Sequence, residues 1–119
     1  MYQGWSDASV AATGTIRYLE QLQQTLGKKK TDKFVRLFMA PGMFHCDSGP
    51  GPNVFDAIGA LEQWVEQGQP PASIEATHFN DSTGEPDRTR PLCPYPQVAR
   101  YNGSGSIDSA TNFSCVDLQ

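Results

Sequence analysis

A chain whose amphipathic segments alternate helix, strand, helix, strand belongs on a parallel sheet with helices packed over it. This chain has too few strands to make that sheet alone. Ile16, Leu19, Leu22 and Leu26 recur three, three and four residues apart, the spacing of one helical face. The pattern stops at Gly27, and Lys28, Lys29 and Lys30 follow as a solvated end where positive charge suits a helix C-terminus. Phe34 to Ala40 is a short apolar run rich in strand formers, closed by Pro41 and Gly42, and reads as a buried strand. A loop from Pro41 to Pro52 follows. Asn53 then stands where it can cap a second helix, with Asp56 three residues on. Phe55, Ile58, Leu61, Trp64 and Val65 form that helix's expected buried stripe, and Gly68 and Pro70 end it. Ser73 to Thr77 reads as one more strand. Beyond it the chain is mostly Pro, Gly, Ser, Asn and Thr, with Val98 to Tyr101 as a short strand. One clear strand and two weaker ones cannot cover two helices, so the chain reads as the last third of something larger.

Composition narrows the class. With 119 residues there is one domain at most, and a hydrophobic content of 38% is that of a globular chain rather than a disordered one. Eleven glycines and nine prolines make it loop-rich. A net charge of −4 argues against a nucleic-acid partner, whose binders show a basic face. No apolar run approaches the roughly 20 residues of a membrane helix. The N-terminus has neither the basic start nor the apolar stretch of a secretory signal. Even so, three cysteines accompany three Asn-x-Ser sequons, at Asn80, Asn102 and Asn112, and that combination leans towards a secreted, glycosylated protein. An odd cysteine in such a protein suggests a partner outside the chain. The signal and the missing cysteine are both expected upstream of Met1.

The two polar loops carry the candidate chemistry. Asp7 and His45 are separated by one helix and one strand, and in a parallel sheet both would fall at the carboxyl ends of strands, where such sheets place catalytic groups. The α/β-hydrolase plan runs Ser, then Asp or Glu, then His, with the last two related in this way. The carboxylate would accept the histidine's Nδ1–H and fix its tautomer, leaving the other ring nitrogen to take a proton from a nucleophile. The plainer alternative is that Asp7 caps the helix and His45 is an ordinary loop histidine. A zinc site from His45, Cys46, Asp47 and distant His78 lacks a workable ligand spacing, and no metal site is expected. His78 reads as a surface or strand-end residue and Trp64 as core. Trp5 either packs its loop or lines a pocket.

Four motifs then carry a family resemblance: Tyr2-Gln3-Gly4-Trp5-Ser6-Asp7, Phe38-Met39-Ala40-Pro41-Gly42-Met43-Phe44-His45-Cys46, Arg90-Pro91-Leu92-Cys93-Pro94-Tyr95-Pro96, and Ala110-Thr111-Asn112-Phe113-Ser114-Cys115. In this order, over nearly the whole chain, they resemble the C-terminal portion of the tannase and feruloyl esterase family. The resemblance implies a secreted serine esterase of the α/β-hydrolase fold that cleaves esters of aromatic acids. It implies that Asp7 is the triad acid and His45 the general base. It further implies that Cys46 pairs with a cysteine immediately before the nucleophilic serine, and that the family's calcium-bearing lid lies upstream, so that this chain needs no cofactor of its own. Phe44 departs from the glycine that the resemblance would place before the histidine, and with Trp5 it is a candidate for the substrate pocket.

The nucleophile is the larger departure. Cys46, Cys93 and Cys115 are followed by Asp, Pro and Val, so no Cys-Ser pair is present. There is no Gly-x-Ser-x-Gly elbow either, and Ser104 and Ser106 sit in Gly/Ser loop sequence with no strand expected before them. Chain order puts the serine upstream of Asp7. The expected architecture is therefore the C-terminal part of an α/β-hydrolase fold, an incomplete parallel sheet with flanking helices over residues 1–78, with a loop-rich, disulfide-bearing tail over 79–119. Cys93 and Cys115 lie 22 residues apart in that tail and are expected to pair, closing a loop worth about 3 kcal/mol in the chain-entropy model. The partners expected are an aromatic-acid ester and the upstream segment of the same enzyme. The competing reading is a secreted binding module that uses Trp5, Tyr95 and Tyr101 for a sugar or polyphenol. Such a binder needs no Asp–His hydrogen bond, which is the feature that separates the two.

Overall fold

The computed structural model describes residues 1–118. The chain order is β1 (Tyr2–Gly4), α1 (Ala12–Leu26), α2 (Lys28–Thr31), β2 (Phe38–Ala40), α3 (Ala57–Gln67), β3 (Ile74–Phe79), β4 (Pro86–Leu92), β5 (Val98–Tyr101), a 3-10 turn at Ala110–Asn112, and β6 (Phe113–Val116). β1 and β2 pair in parallel, Tyr2 opposite Phe38 and Gly4 opposite Ala40. β3 with β4 and β5 with β6 are antiparallel pairs.

β2 organises the interior. Its residues are all buried, and alternate ones face opposite ways. Phe38 and Ala40 join Met43, Ala76 and Leu92 in one cluster, with Phe55 and Ile74 against it. Leu37 and Met39 join Ala12 and Leu19 of α1 in the other, with Ile16, Val35 and Tyr95 against it. A strand buried on both faces is what a parallel pair between layers requires. β1 lies along one edge of β2. On the other, Tyr95 N–H donates to Leu37 O at 2.7 Å and Phe38 bridges Pro94. The segment after β4 is thus folded onto β2, and the Cys93–Cys115 disulfide joins it to β6.

Several expectations need correction. The strand read over Phe34 to Ala40 is only three residues long, because Phe34 and Val35 give their N–H groups to Thr31 O and finish the α2 turn. The lysine run does not end α1: Gly27, at φ 85°, breaks the helix, and Lys28 to Lys30 build α2, where Lys28 pairs with Asp32 at 2.5 Å. Asn53 does not cap α3. Its amide donates to Gly51 O at 2.9 Å, and the cap is Asp56, which accepts from Gly59 N–H at 2.8 Å. The stretch beyond residue 79, read as mostly loop, holds three strands. The boundary drawn between residues 78 and 79 falls inside β3.

The largest correction concerns α3, which has no fully buried residue. Ile58, Leu61 and Val65 are 67%, 54% and 76% exposed. Trp64, expected in the core, is half-buried under the Arg36 guanidinium, 5.6 Å from its ring. A sheet of two three-residue strands is too narrow to cover this helix as well as α1. The apolar stripe read from the spacing is there, and it faces outward.

Gly4 sets how closely β1 approaches the loop after β2. A Cβ there would lie 2.3 Å from both Met43 O and Phe44 O. Gly4→Ala is expected to lower stability by about 1–3 kcal/mol through overpacking, read as a fall in the urea midpoint. Gly14→Ala in α1, where a Cβ meets nothing within 4 Å, is expected to raise it slightly. Equal midpoints for the two variants would contradict the close approach.

Candidate active site

β1 and β2 run in parallel and in register, so the loops that leave their carboxyl ends emerge side by side. Trp5 N–H continues the pairing to Ala40 O at 3.0 Å, and Ser6 N–H donates to Met43 O at 3.1 Å. These bonds carry Asp7 alongside the loop that holds His45. That loop turns tightly, with Cys46 and Ser48 at φ 67° and 58° and Phe44 N–H bonded to Ser48 O at 3.1 Å.

The two side chains meet. His45 Nδ1 lies 2.8 Å from Asp7 Oδ2. The Asp7 side chain is 1% exposed and that of His45 is 54% exposed. A buried carboxylate accepts only, so the Nδ1–H donates, and in the neutral imidazole the proton-accepting lone pair is then on Nε2 of the exposed ring. The same carboxylate also orders its own loop: Oδ1 accepts from Ser9 N–H at 2.7 Å and Val10 N–H at 2.9 Å. Helix-capping and histidine-orienting readings of Asp7 are therefore partly combined. It closes the turn before α1 on one oxygen and holds His45 on the other, while the N-cap of α1 is Ala11.

Gln3, which the sequence reading passed over, completes the set. Its Nε2–H donates to Asp7 Oδ2 at 2.7 Å, and its Oε1 accepts from the Thr15 hydroxyl at 3.0 Å. Its position on β1 facing α1 was the available signal, and β1 itself was not read from the sequence. The Val10 N–H first, then His45, with Ser9 and Gln3 adding, hold the Asp7 carboxyl well below the usual carboxylate range against the opposing effect of burial.

Other candidates lie elsewhere. Cys93 and Cys115 are bridged and Cys46 is free and exposed beside His45. Trp5 and Phe44 are 45% and 47% exposed. Trp5 shares a cavity of about 170 Å³ with Met39, Pro41 and Tyr95. Phe44 lines a separate one, of about 580 Å³, with Val54 and Phe79. Tyr101 is in neither; it donates to Gly105 O at 2.6 Å and packs on Phe113. Of the three aromatics of the binding-module reading, Trp5 and Tyr95 thus line one cavity and Tyr101 stands outside it. His78 is a half-buried residue of β3 bonded through Nδ1 to Asp87 of β4 at 2.6 Å, beside the bulge between His78 and Phe79. Asn80 and Asn102 sit on hairpin turns, and the Asn112 amide donates to Ser106 O at 2.8 Å. Among the described residues no group of three or more His, Cys, Asp or Glu side chains could hold a metal ion.

No nucleophile stands at Nε2 among the described residues. Ser48 gives its hydroxyl to Asp47 at 3.0 Å. The short strand read at Val98 to Tyr101 is β5, so a strand precedes Ser104 and Ser106 after all, but it leads into a hairpin rather than a helix, and Ser106 Oγ accepts a turn N–H from Asp108.

Comparison with known proteins agrees with the resemblance. The sequence model of the family described as tannase and feruloyl esterase matches residues 1–116. The chain belongs to that family. It is 46% identical over 117 residues to the mono(2-hydroxyethyl) terephthalate hydrolase of Piscinibacter sakaiensis, covering 98% of this chain and 19% of that protein. It is 36% identical over 118 residues to a probable feruloyl esterase of Arthroderma benhamiae, covering 97% of this chain and 22% of that one. The crystal structure of feruloyl esterase B from Aspergillus oryzae superposes with a TM-score of 0.82 at 29% identity, over 97% of this chain and 26% of that one. The chain thus spans about a fifth to a quarter of the length of the relatives it matches.

The depressed Asp7 carboxyl has a direct test. A carboxyl whose folded value is lowered adds stability above its unfolded value, near 3.9, and that contribution is lost as pH falls through the folded value. The Asp7 carboxyl carbon, followed by NMR, is expected to titrate below the ordinary aspartate value, and Gln3→Ala to move it upward. Titration at or above the ordinary aspartate value would contradict the bonding described.

Proposed function

We propose that this chain supplies the acid and the base of a serine carboxylic ester hydrolase of the α/β-hydrolase fold, with the nucleophilic serine on a segment upstream of it. The observation that carries the reading is the Asp7–His45 hydrogen bond at the carboxyl ends of two adjacent parallel strands. A binding module has no use for that bond. The relatives' names concern ferulate and terephthalate esters, which favours esters of aromatic acids as the substrate class. The disulfide and the sequons favour a secreted product.

In this mechanism Asp7 keeps the His45 proton on Nδ1, and Nε2 takes the proton of the serine hydroxyl as its oxygen attacks the ester carbonyl. The imidazolium, stabilised by the buried carboxylate, then protonates the leaving alcohol, which departs and leaves an acyl-enzyme. Water attacks next, giving its proton to Nε2. Return of that proton to the serine releases the acid. Cys46, free and adjacent to the base, would bridge to a cysteine beside the serine and hold the two loops together. The exposed stripe of α3 would be covered by the same upstream segment.

The test is a chimera in which this chain replaces the matching segment of the Piscinibacter hydrolase. The 119 residues alone are expected to show no ester hydrolysis, and the chimera is expected to hydrolyse methyl ferulate or a related aromatic ester. Within it, His45→Ala should abolish turnover and Asp7→Asn should lower it by up to ~10⁴-fold through the wrong tautomer. Hydrolysis by the isolated chain that a serine-directed phosphonate does not stop would refute the assignment, as would full activity of the His45→Ala chimera.

A further inference from the structure

Behind the His45 loop lies a third cavity, of about 380 Å³, that none of this chemistry uses. One wall is Pro41, Pro50 and Pro52 of that loop. The facing wall is β4, with Phe113 of β6 closing one side. Arg88, Arg90 and Leu92 are spaced two apart on β4 and share a face. Leu92 enters the core, and the two arginines, both half-buried, line the cavity.

Neither cation has an ion-pair partner. Among the described residues no carboxylate lies within ion-pair distance of either one. Asp87, next to Arg88, is engaged with His78, and Asp108 acts on Arg90 only from farther off. Arg90 is held in place: its guanidinium sits 4.3 Å over the Phe113 ring and donates one N–H to Thr89 O at 2.7 Å. A guanidinium has five N–H donors, so most of its hydrogen-bonding capacity is unspent by protein partners. Burial first and then the neighbouring Arg88 charge push Arg90 below its ordinary value, with Asp108 opposing them.

A guanidinium matches the two oxygens of a carboxylate as a fork, and a second guanidinium lining the same cavity adds positive charge. The proline rings opposite offer flat apolar surface, and the volume falls in the range of small-molecule pockets. We propose that this cavity binds a small aromatic carboxylate, its acid group on Arg88 and Arg90 and its ring against Pro41, Pro50 and Pro52. That is also the chemical class of acid that the proposed hydrolysis would release. The site is separate from Asp7 and His45, and its binding can be read without turnover.

The experiment is calorimetric titration of benzoate into the 119-residue chain, and independently into the chimera with its serine blocked by a phosphonate. Blocking removes product binding at the reaction centre from the signal. Saturable benzoate binding is expected, with neutral benzamide much weaker. Arg88→Gln and Arg90→Gln should each weaken benzoate by about tenfold or more, the loss for a charge-assisted hydrogen bond. Arg88 does not stack on Phe113, so its variant tests the charge should Arg90→Gln disturb the fold. Absence of benzoate binding in both preparations would overturn the proposal. So would affinity unchanged by Arg88→Gln, or displacement of benzoate by an equal concentration of sulfate, which would make the arginines a general anion patch.

Discussion

The parallel pairing of β1 with β2 is the constraint on which the rest depends. Only six residues take part, but they decide where the loops of Asp7 and His45 begin. Antiparallel pairing would put the two exits at opposite ends of the sheet. Parallel pairing in register, extended by Trp5 N–H to Ala40 O and Ser6 N–H to Met43 O, brings Asp7 and His45 to one end. Gly4 permits the approach because any side chain there would meet the carbonyls of Met43 and Phe44.

Packing makes so short a pair tenable. β2 is buried on both faces, between α1 and the cluster that includes Met43, Ala76 and Leu92. The segment after β4 closes its far edge, and the Cys93–Cys115 bridge fixes that segment to β6. What remains uncovered is as informative as the core. Ile58, Leu61 and Val65 form a contiguous exposed stripe on α3, and exposed apolar stripes of this kind mark surfaces that bury against something else.

The sequence carried some of this plainly and some not at all. α1 and α3 were legible from their 3.6-residue spacing, and β3 and β5 from strand-forming runs. β1 was not, because Tyr2-Gln3-Gly4 has too little apolar content and becomes a strand only by pairing with β2. β4 and β6 were hidden by Pro86, Pro91 and a polar composition, and they are set by hairpin pairing rather than by burial. For α3, spacing gave the apolar face correctly, but no local pattern says how wide the sheet beneath it is. At the site, loop order pointed to Asp7 and His45. Gln3 and Thr15, which orient the acid, depend on β1 and were out of reach.

The central claim is that Asp7 holds His45 as the Nδ1–H tautomer with Nε2 free to accept a proton. Proton–nitrogen correlation NMR of the imidazole tests it most directly. The His45 proton is expected on Nδ1, shifted far downfield by the bond to Asp7, and lost from that position in Asp7→Asn. A neutral His45 protonated on Nε2, with a spectrum indifferent to Asp7→Asn, would contradict it.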